Sequence, residues 1–186
     1  MRALLEESGL PLAAPSANRS GAVSPTTAAH VAASLGDRLD MILDGGACAA
    51  GIESTIVAPR DSGWSILRPG PITEAQISAI LGPAGDGMTS TGKIEAPGQL
   101  DSHYAPGKPV RLGALNAVEG EFLIGFGPVK GHTSLSEKGD LAEAAARLYA
   151  CLHLAATDAR PRVAIAPVPE EGIGAAINDR LRRASA

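Results

Sequence analysis

Apolar positions and turn residues alternate along this chain in a strand-and-helix rhythm. Arg2–Ser8 reads as the end of a helix stopped by Gly9, and Leu10–Ala14 as a short apolar strand. Ser24 is a good N-cap and Pro25 suits a first helical position, so a helix is expected from there to about Leu35, ending at Gly36. Met41–Leu43 predicts a second strand, closed by Asp44-Gly45-Gly46. Thr55–Ala58 and Trp64–Leu67 predict a hairpin turning around Asp61-Ser62-Gly63. Thr73, with Gln76 three residues on, forms a capping box for a helix that Gly82 terminates.

The rhythm breaks between Pro83 and Pro109. Gly85, Gly87, Gly92, Pro97, Gly98, Pro106 and Gly107 punctuate a stretch with little periodicity, which reads as an interdomain linker. Leu100, His103 and Tyr104 are its candidate anchors. Beyond it, Val110–Leu112 and Phe122–Phe126 are strand-like, and Asp140 caps a helix with Leu141, Ala144, Ala145, Leu148 and Leu152 on one face. Val163–Val168 is a further strand, and Ile173, Ala176, Ile177 and Leu181 mark a last helix. This order predicts an α/β fold with a small parallel-sheet domain over 110–186, whose ligand-prone loops follow Phe126 and Val168. The expected domains are therefore 1–82, a linker over 83–109, and 110–186.

Aromatic residues make up only 3% of the chain, so alanine and aliphatic side chains must build the core. A formal charge of −4 disfavours broad nucleic-acid binding, although a local RNA contact stays open as the third-ranked reading. Cys48 and Cys151 lie too far apart to suggest a disulfide framework or zinc spacing, and His30, His103, His132 and His153 form no metal motif. No metal site is expected. With no signal peptide and no stretch able to span a bilayer, the expected setting is the cytoplasm, away from membranes.

Candidate chemistry concentrates in the run Pro15-Ser16-Ala17-Asn18-Arg19-Ser20-Gly21, just before the Ser24-Pro25 helix start. Ser16, Asn18 and Ser20 can donate hydrogen bonds, Gly21 lets a ligand approach the backbone, and a helix start adds unpaired N–H groups. An anion site and a plain polar loop before a capped helix fit these residues equally. Three more clusters follow: Gly51-Ile52-Glu53-Ser54-Thr55-Ile56-Val57, Leu67-Arg68-Pro69-Gly70, and Ala96-Pro97-Gly98-Gln99-Leu100-Asp101-Ser102-His103-Tyr104-Ala105-Pro106. Glu53 alone reads as a solvated carboxylate, Arg68 alone as a surface charge.

In this order the clusters resemble the YrdC-type L-threonylcarbamoyladenylate synthases in their two-domain form. The resemblance runs the whole length, with Ser134–Asp140, Pro169–Gly172 and Ile177–Arg180 similar to that form's C-terminal domain. It implies an incomplete YrdC-like twisted α/β sheet domain, a linker folding back over the site, and a small Rossmann-like C-terminal domain. It also implies synthesis of threonylcarbamoyl-AMP from L-threonine, bicarbonate and ATP, with Mg2+ accompanying the nucleotide. The product would serve partner proteins that modify adenosine 37 of tRNA. Carried onto this chain, Ser16, Asn18, Ser24, Arg68 and Tyr104 would contact ATP, and Ser54 and Thr55 would contact threonine. The catalytic residues are not assigned.

The family's catalytic domain opens with a segment carrying a Lys-x-Arg pair for the triphosphate. That pair is absent here: residues 1–92 contain Arg2, Arg19, Arg38, Arg60 and Arg68 but no lysine. Met1 aligns with the middle of that domain, so a fragment with weak or no turnover by itself is expected. A non-catalytic binding module, or a half-domain completed by a separate polypeptide, is the alternative.

Overall fold

A computed structural model describes residues 2–85, 95–97 and 103–186. The expected anchor Leu100 and the Gln99–Ser102 run lie outside them. The N-terminal part contains α1 (Arg2–Ser8), α2 (Ala28–Leu35), the hairpin β1 (Ile56–Arg60) and β2 (Gly63–Arg68), and α3 (Glu74–Leu81). The C-terminal part contains β3 (Val110–Leu112), β4 (Glu121–Gly125), β5 (Thr133–Ser134), α4 (Leu141–Thr157), β6 (Arg162–Ile165) and α5 (Gly174–Ala184).

Local capping explains most of these boundaries. Thr73 and Gln76 satisfy each other's backbone N–H groups at the start of α3, and Gly82 ends it. Asp140 accepts from Glu143 N at 2.7 Å to open α4. At the other end of α4, Lys108 Nζ donates to the Ala155 carbonyl at 2.8 Å, placing a cation against the helix's negative pole.

Helix α2 departs from expectation. Its cap is Thr27, which accepts from His30 N, and the helix begins at Ala28. Ser24 precedes a proline, which disfavours helical backbone at that position, and its hydroxyl is drawn instead to Glu53 at 2.7 Å.

The strands expected at Leu10–Ala14 and Met41–Leu43 do not form. Neither segment belongs to either sheet, and Leu10, Leu12, Met41 and Leu43 are 63%, 49%, 74% and 63% exposed. An apolar run becomes a strand only when a neighbour takes its backbone hydrogen bonds.

The C-terminal sheet has strand order β3-β6-β4-β5 with every pairing parallel. Phe122, Ile124, Val163 and Ile165 turn one face to Ala144, Leu148 and Leu152 of α4 and to Ile177 and Leu181 of α5. Leu123, Ala164 and Ala114 form a smaller cluster on the other face. Glu121 is buried at the head of β4, where Arg111 grips both carboxylate oxygens at 2.9 and 2.7 Å across β6.

Val23, Ile52 and Tyr104 belong to this same core, although they come from the N-terminal part and from the stretch before β3. Gly51, at φ 67°, lies so close to α4 that a Cβ there would collide with the carbonyls of Ala145 and Ala146. An isolated parallel bridge pairs Ala22 with Ala105, and His103 N donates to the Arg183 carbonyl at 3.1 Å. The N-terminal part therefore leans on the C-terminal core.

Candidate functional site

The Gly51–Val57 segment and the Leu67–Gly70 turn meet at the open end of the hairpin. Arg68 is buried, and its Nε and Nη2 donate to the Ser54 carbonyl at 3.1 and 3.0 Å. Nη2 also reaches Ser54 Oγ at 3.3 Å, and Nη1 donates to the Pro97 carbonyl at 3.3 Å. A guanidinium carries five N–H donors, so among the described residues one on Nη1 has no partner. Ser54 itself is exposed, which leaves a surface hydroxyl held over a buried cation, with the Pro97 carbonyl on the guanidinium's other side.

Gly70 makes the closeness of the two segments achievable. A Cβ at this position would collide with the backbone of Glu53, Ser54 and Thr55. Thr55 Oγ1 donates to the Ile72 carbonyl at 2.6 Å and accepts from Ile72 N at 3.1 Å, so it closes the turn.

Glu53 stands one residue before Ser54 and is held from three sides. Ser24 Oγ donates to Oε1 at 2.7 Å, while Tyr149 OH and Arg180 Nε donate to Oε2 at 2.8 and 3.0 Å. Burial alone would raise its pKa, but these hydrogen bonds and the Arg180 charge hold the carboxyl below its usual range. Arg180 is fully buried, and also donates to Asp179 at 2.6 Å and to the Pro69 carbonyl at 2.9 Å. The chain's two tyrosines flank this group. The Arg180 guanidinium lies 5.4 Å from the Tyr104 ring centre, and Tyr104 stacks on Tyr149 at 5.5 Å. Tyr104 is 1% exposed and adopts a φ of 61°, a left-handed backbone rare outside glycine. Burial and the Glu53 charge push both phenols up, so they remain protonated donors.

The Ser16–Gly21 loop lies apart from this hydrogen-bond network. Ser16 is exposed, and its carbonyl accepts from Asn18 N at 3.0 Å. Asn18 Nδ2 donates to the Arg19 and Ala22 carbonyls, both at 3.0 Å, while Oδ1 is buried with no partner among the described residues. The Asn18 amide hydrogens, expected to meet phosphate, are thus engaged within the loop, and its free atom is an acceptor that phosphate oxygens would not pair with. Among the described residues no hydrogen bond joins Ser16 or Asn18 to Arg68.

Ser54 and Arg68 are brought together, and Ser24 and Tyr104 converge on the Glu53–Arg180 group. Sequence reasoning left Glu53 as a solvated carboxylate and did not single out Tyr149 or give Arg180 a role. Its one usable signal was that Glu53 and Arg180 each sit inside a segment resembling the family, Gly51–Val57 and Ile177–Arg180. Among the described residues no group of three His, Cys, Asp or Glu side chains could hold a metal ion.

Comparison with known proteins places the chain. Residues 1–70 match the Sua5/YciO/YrdC family model, described as "Telomere recombination", and residues 72–186 match the model of the threonylcarbamoyl-AMP synthase C-terminal domain. The threonylcarbamoyl-AMP synthase of Bacillus subtilis is 36% identical over 98% of this chain and 59% of its own length. That of Pyrococcus abyssi is 32% identical over 98% of this chain and 60% of its own. The crystal structure of P. abyssi Sua5 complexed with L-threonine superposes with a TM-score of 0.83 at 30% identity, covering 98% of this chain and 60% of that one. A variant of that protein with adjacent histidine and tyrosine replaced by alanine superposes at 0.81, with 27% identity, covering 98% of this chain and 59% of that one. The chain spans about 60% of the length of these relatives. With residues 72–186, more than half of the chain, matched to that C-terminal domain and residues 1–70 to the Sua5/YciO/YrdC model, the chain belongs to the threonylcarbamoyl-AMP synthase family.

Proposed function

We propose that this chain supplies the linker, the C-terminal domain and part of the catalytic domain of an enzyme that converts L-threonine, bicarbonate and ATP into threonylcarbamoyl-AMP, pyrophosphate and water. The reaction is a nucleotidyl transfer, and its product is passed to partner proteins that modify tRNA in the cytoplasm. Such a transfer needs positioned donors and neutralised phosphate charge more than covalent help from the protein. Mg2+ enters with ATP as part of the substrate.

The observation that carries this reading is the Ser54–Arg68 pair, an exposed hydroxyl fixed by a buried guanidinium with the linker across it. Ser54 would receive threonine, and Arg68 would turn its remaining Nη1 hydrogen to an anionic oxygen. Ser16 would donate its hydroxyl to ATP, and Asn18 would offer Oδ1 to a nucleotide hydroxyl or amino group. Ser24 and Thr55 contribute by holding Glu53 and the turn at Ile72. Tyr104 contributes by seating the linker. The chain has a single His-Tyr pair, His103-Tyr104, which parallels the adjacent histidine and tyrosine altered in the P. abyssi variant.

The test is pyrophosphate release with L-threonine, bicarbonate and ATP. The chain alone is expected to turn over weakly or not at all. Two missing charge-assisted phosphate contacts, each worth roughly 1.5–3 kcal/mol, lower the rate by orders of magnitude. Adding a polypeptide with the Lys-x-Arg segment is expected to raise turnover. Full turnover by the chain alone, or none with the added segment, would refute the proposal.

A second reading is a binding module completed by a separate polypeptide, which the exposure of Leu10, Leu12, Met41 and Leu43 favours. Stable co-purification with a partner, without pyrophosphate release, would select it.

A further inference from the structure

Arg180 bonds to the residues on either side of the Ser54–Arg68 pair. Its Nε donates to Glu53, immediately before Ser54, and its Nη2 donates to the carbonyl of Pro69, immediately after Arg68. The gripped atoms come from two segments 16 residues apart in sequence, and the gripping side chain comes from α5 at the far end of the chain. A planar guanidinium holds the angle between its N–H vectors constant, so one group fixes the separation of both segments. Asp179 completes its partners at 2.6 Å, and Arg183 Nε fastens Asp179 in turn at 3.2 Å. Tyr149 of α4 holds the same Glu53 oxygen at 2.8 Å.

We infer that Arg180 is a positioning residue through which the C-terminal domain sets the geometry of the Ser54–Arg68 site. The inference rests on the reading of that pair as substrate-binding. Arg180 is fully buried and touches the residues flanking the pair, so it acts through Glu53 and Pro69. Tyr104 packs beside the guanidinium, which couples linker seating to the same contact. Loss of the Arg180 contacts, or of the Tyr104 packing beside them, would therefore loosen the Ser54–Arg68 pair.

The test uses the 186-residue chain with Arg180→Met, Arg180→Lys and Tyr149→Phe variants. Two quantities are read: affinity for L-threonine and for Mg-ATP by equilibrium dialysis, and amide exchange residue by residue. Arg180→Met is expected to weaken binding about tenfold or more and to speed exchange at Ser54, Thr55, Arg68 and Gly70, with β4 and β6 unchanged. Arg180→Lys keeps the charge without the fork and is expected to recover only part of both. Tyr149→Phe, which keeps the ring and removes one hydrogen bond, is expected to give a smaller effect in the same places. It decides the matter if Arg180→Met does not fold.

Wild-type affinity in the folded variants would overturn the inference and leave the proposed function standing. So would exchange that rises uniformly along the chain, the mark of a purely structural role. If the unaltered chain binds neither ligand, the substrate-site reading fails for the chain alone. The exchange pattern then decides, with unchanged rates at Ser54 and Arg68 overturning the inference.

Discussion

The imidazoles of His30 and His153 stack with their centres 3.9 Å apart and their planes inclined by 25°, although one belongs to α2 and the other to α4. His30 Nδ1 accepts from Thr26 N at 3.3 Å and lies 3.2 Å from Thr26 Oγ1, while His153 Nε2 lies 3.1 Å from the Ser24 carbonyl. Burial and the neighbouring His153 lower the His30 pKa. Burial lowers that of His153 against the opposing pull of the Ser24 carbonyl. A histidine held below its unfolded value stabilises the fold fully above that value, about 6.5, and loses the contribution as pH falls through the folded value. Melting temperature is therefore expected to drop as pH falls from about 7 towards 5, and His153→Asn is expected to flatten that slope. An unchanged slope in the variant would show that other groups set it.

Glu121 supplies a second pH dependence at a different range. The two-point grip of Arg111, helped by the Val118 N–H, holds its carboxyl down to about 2. A carboxylate depressed in this way stabilises the fold above its unfolded value and loses that contribution as pH falls towards about 2. Acid unfolding of the C-terminal domain is expected to steepen below about 4.5, the usual glutamate range. Glu121→Gln is expected to remove that component while lowering stability at neutral pH, as denaturant titrations at several pH values would record.

Gly70→Ala tests the close approach behind the candidate site. The added methyl must push the Glu53–Thr55 backbone away, an overpacking strain of about 1–3 kcal/mol. The expected result is a lowered melting temperature with faster exchange at Ser54. A variant as stable as the parent, with Ser54 exchange unaltered, would contradict the packing described.

Core and periphery should separate clearly. Leu148 is fully buried among both helices and the sheet, so Leu148→Ala is expected to cost about 2–5 kcal/mol in chemical denaturation. In the parent chain, amides of Val163–Ile165 are expected to exchange far more slowly than those of Leu10–Ala14 and Met41–Leu43, which lie in no sheet. Equal protection of the two groups would mean that the N-terminal segments find strand partners in solution.

Signals confined to a few neighbouring residues were legible from the amino acids alone. The Thr73–Gln76 box, the Asp140 cap, the Gly36 and Gly82 stops and the hairpin around Ser62 each depend on contacts within about five positions. The alternation of apolar runs also announced the parallel C-terminal sheet, because such strands carry their burial in composition. Ser54 and Arg68 each fall in a motif-like cluster, so both members of the candidate pair were legible, though not their contact.

Tertiary structure decided the rest, because a side chain's partner can lie a hundred residues away. Ser24 could cap a helix or bind a carboxylate, and only the arrival of Glu53 at 2.7 Å settles which. Leu10–Ala14 has the residues of a strand, and among the described residues no neighbour pairs with it to make it one. Glu53, read singly as a solvated carboxylate, meets Arg180 from 127 residues away. Folding takes Arg180 wholly and Glu53 largely out of water, into surroundings where an unpaired charge is costly, and their pairing links α5 to the candidate Ser54–Arg68 site.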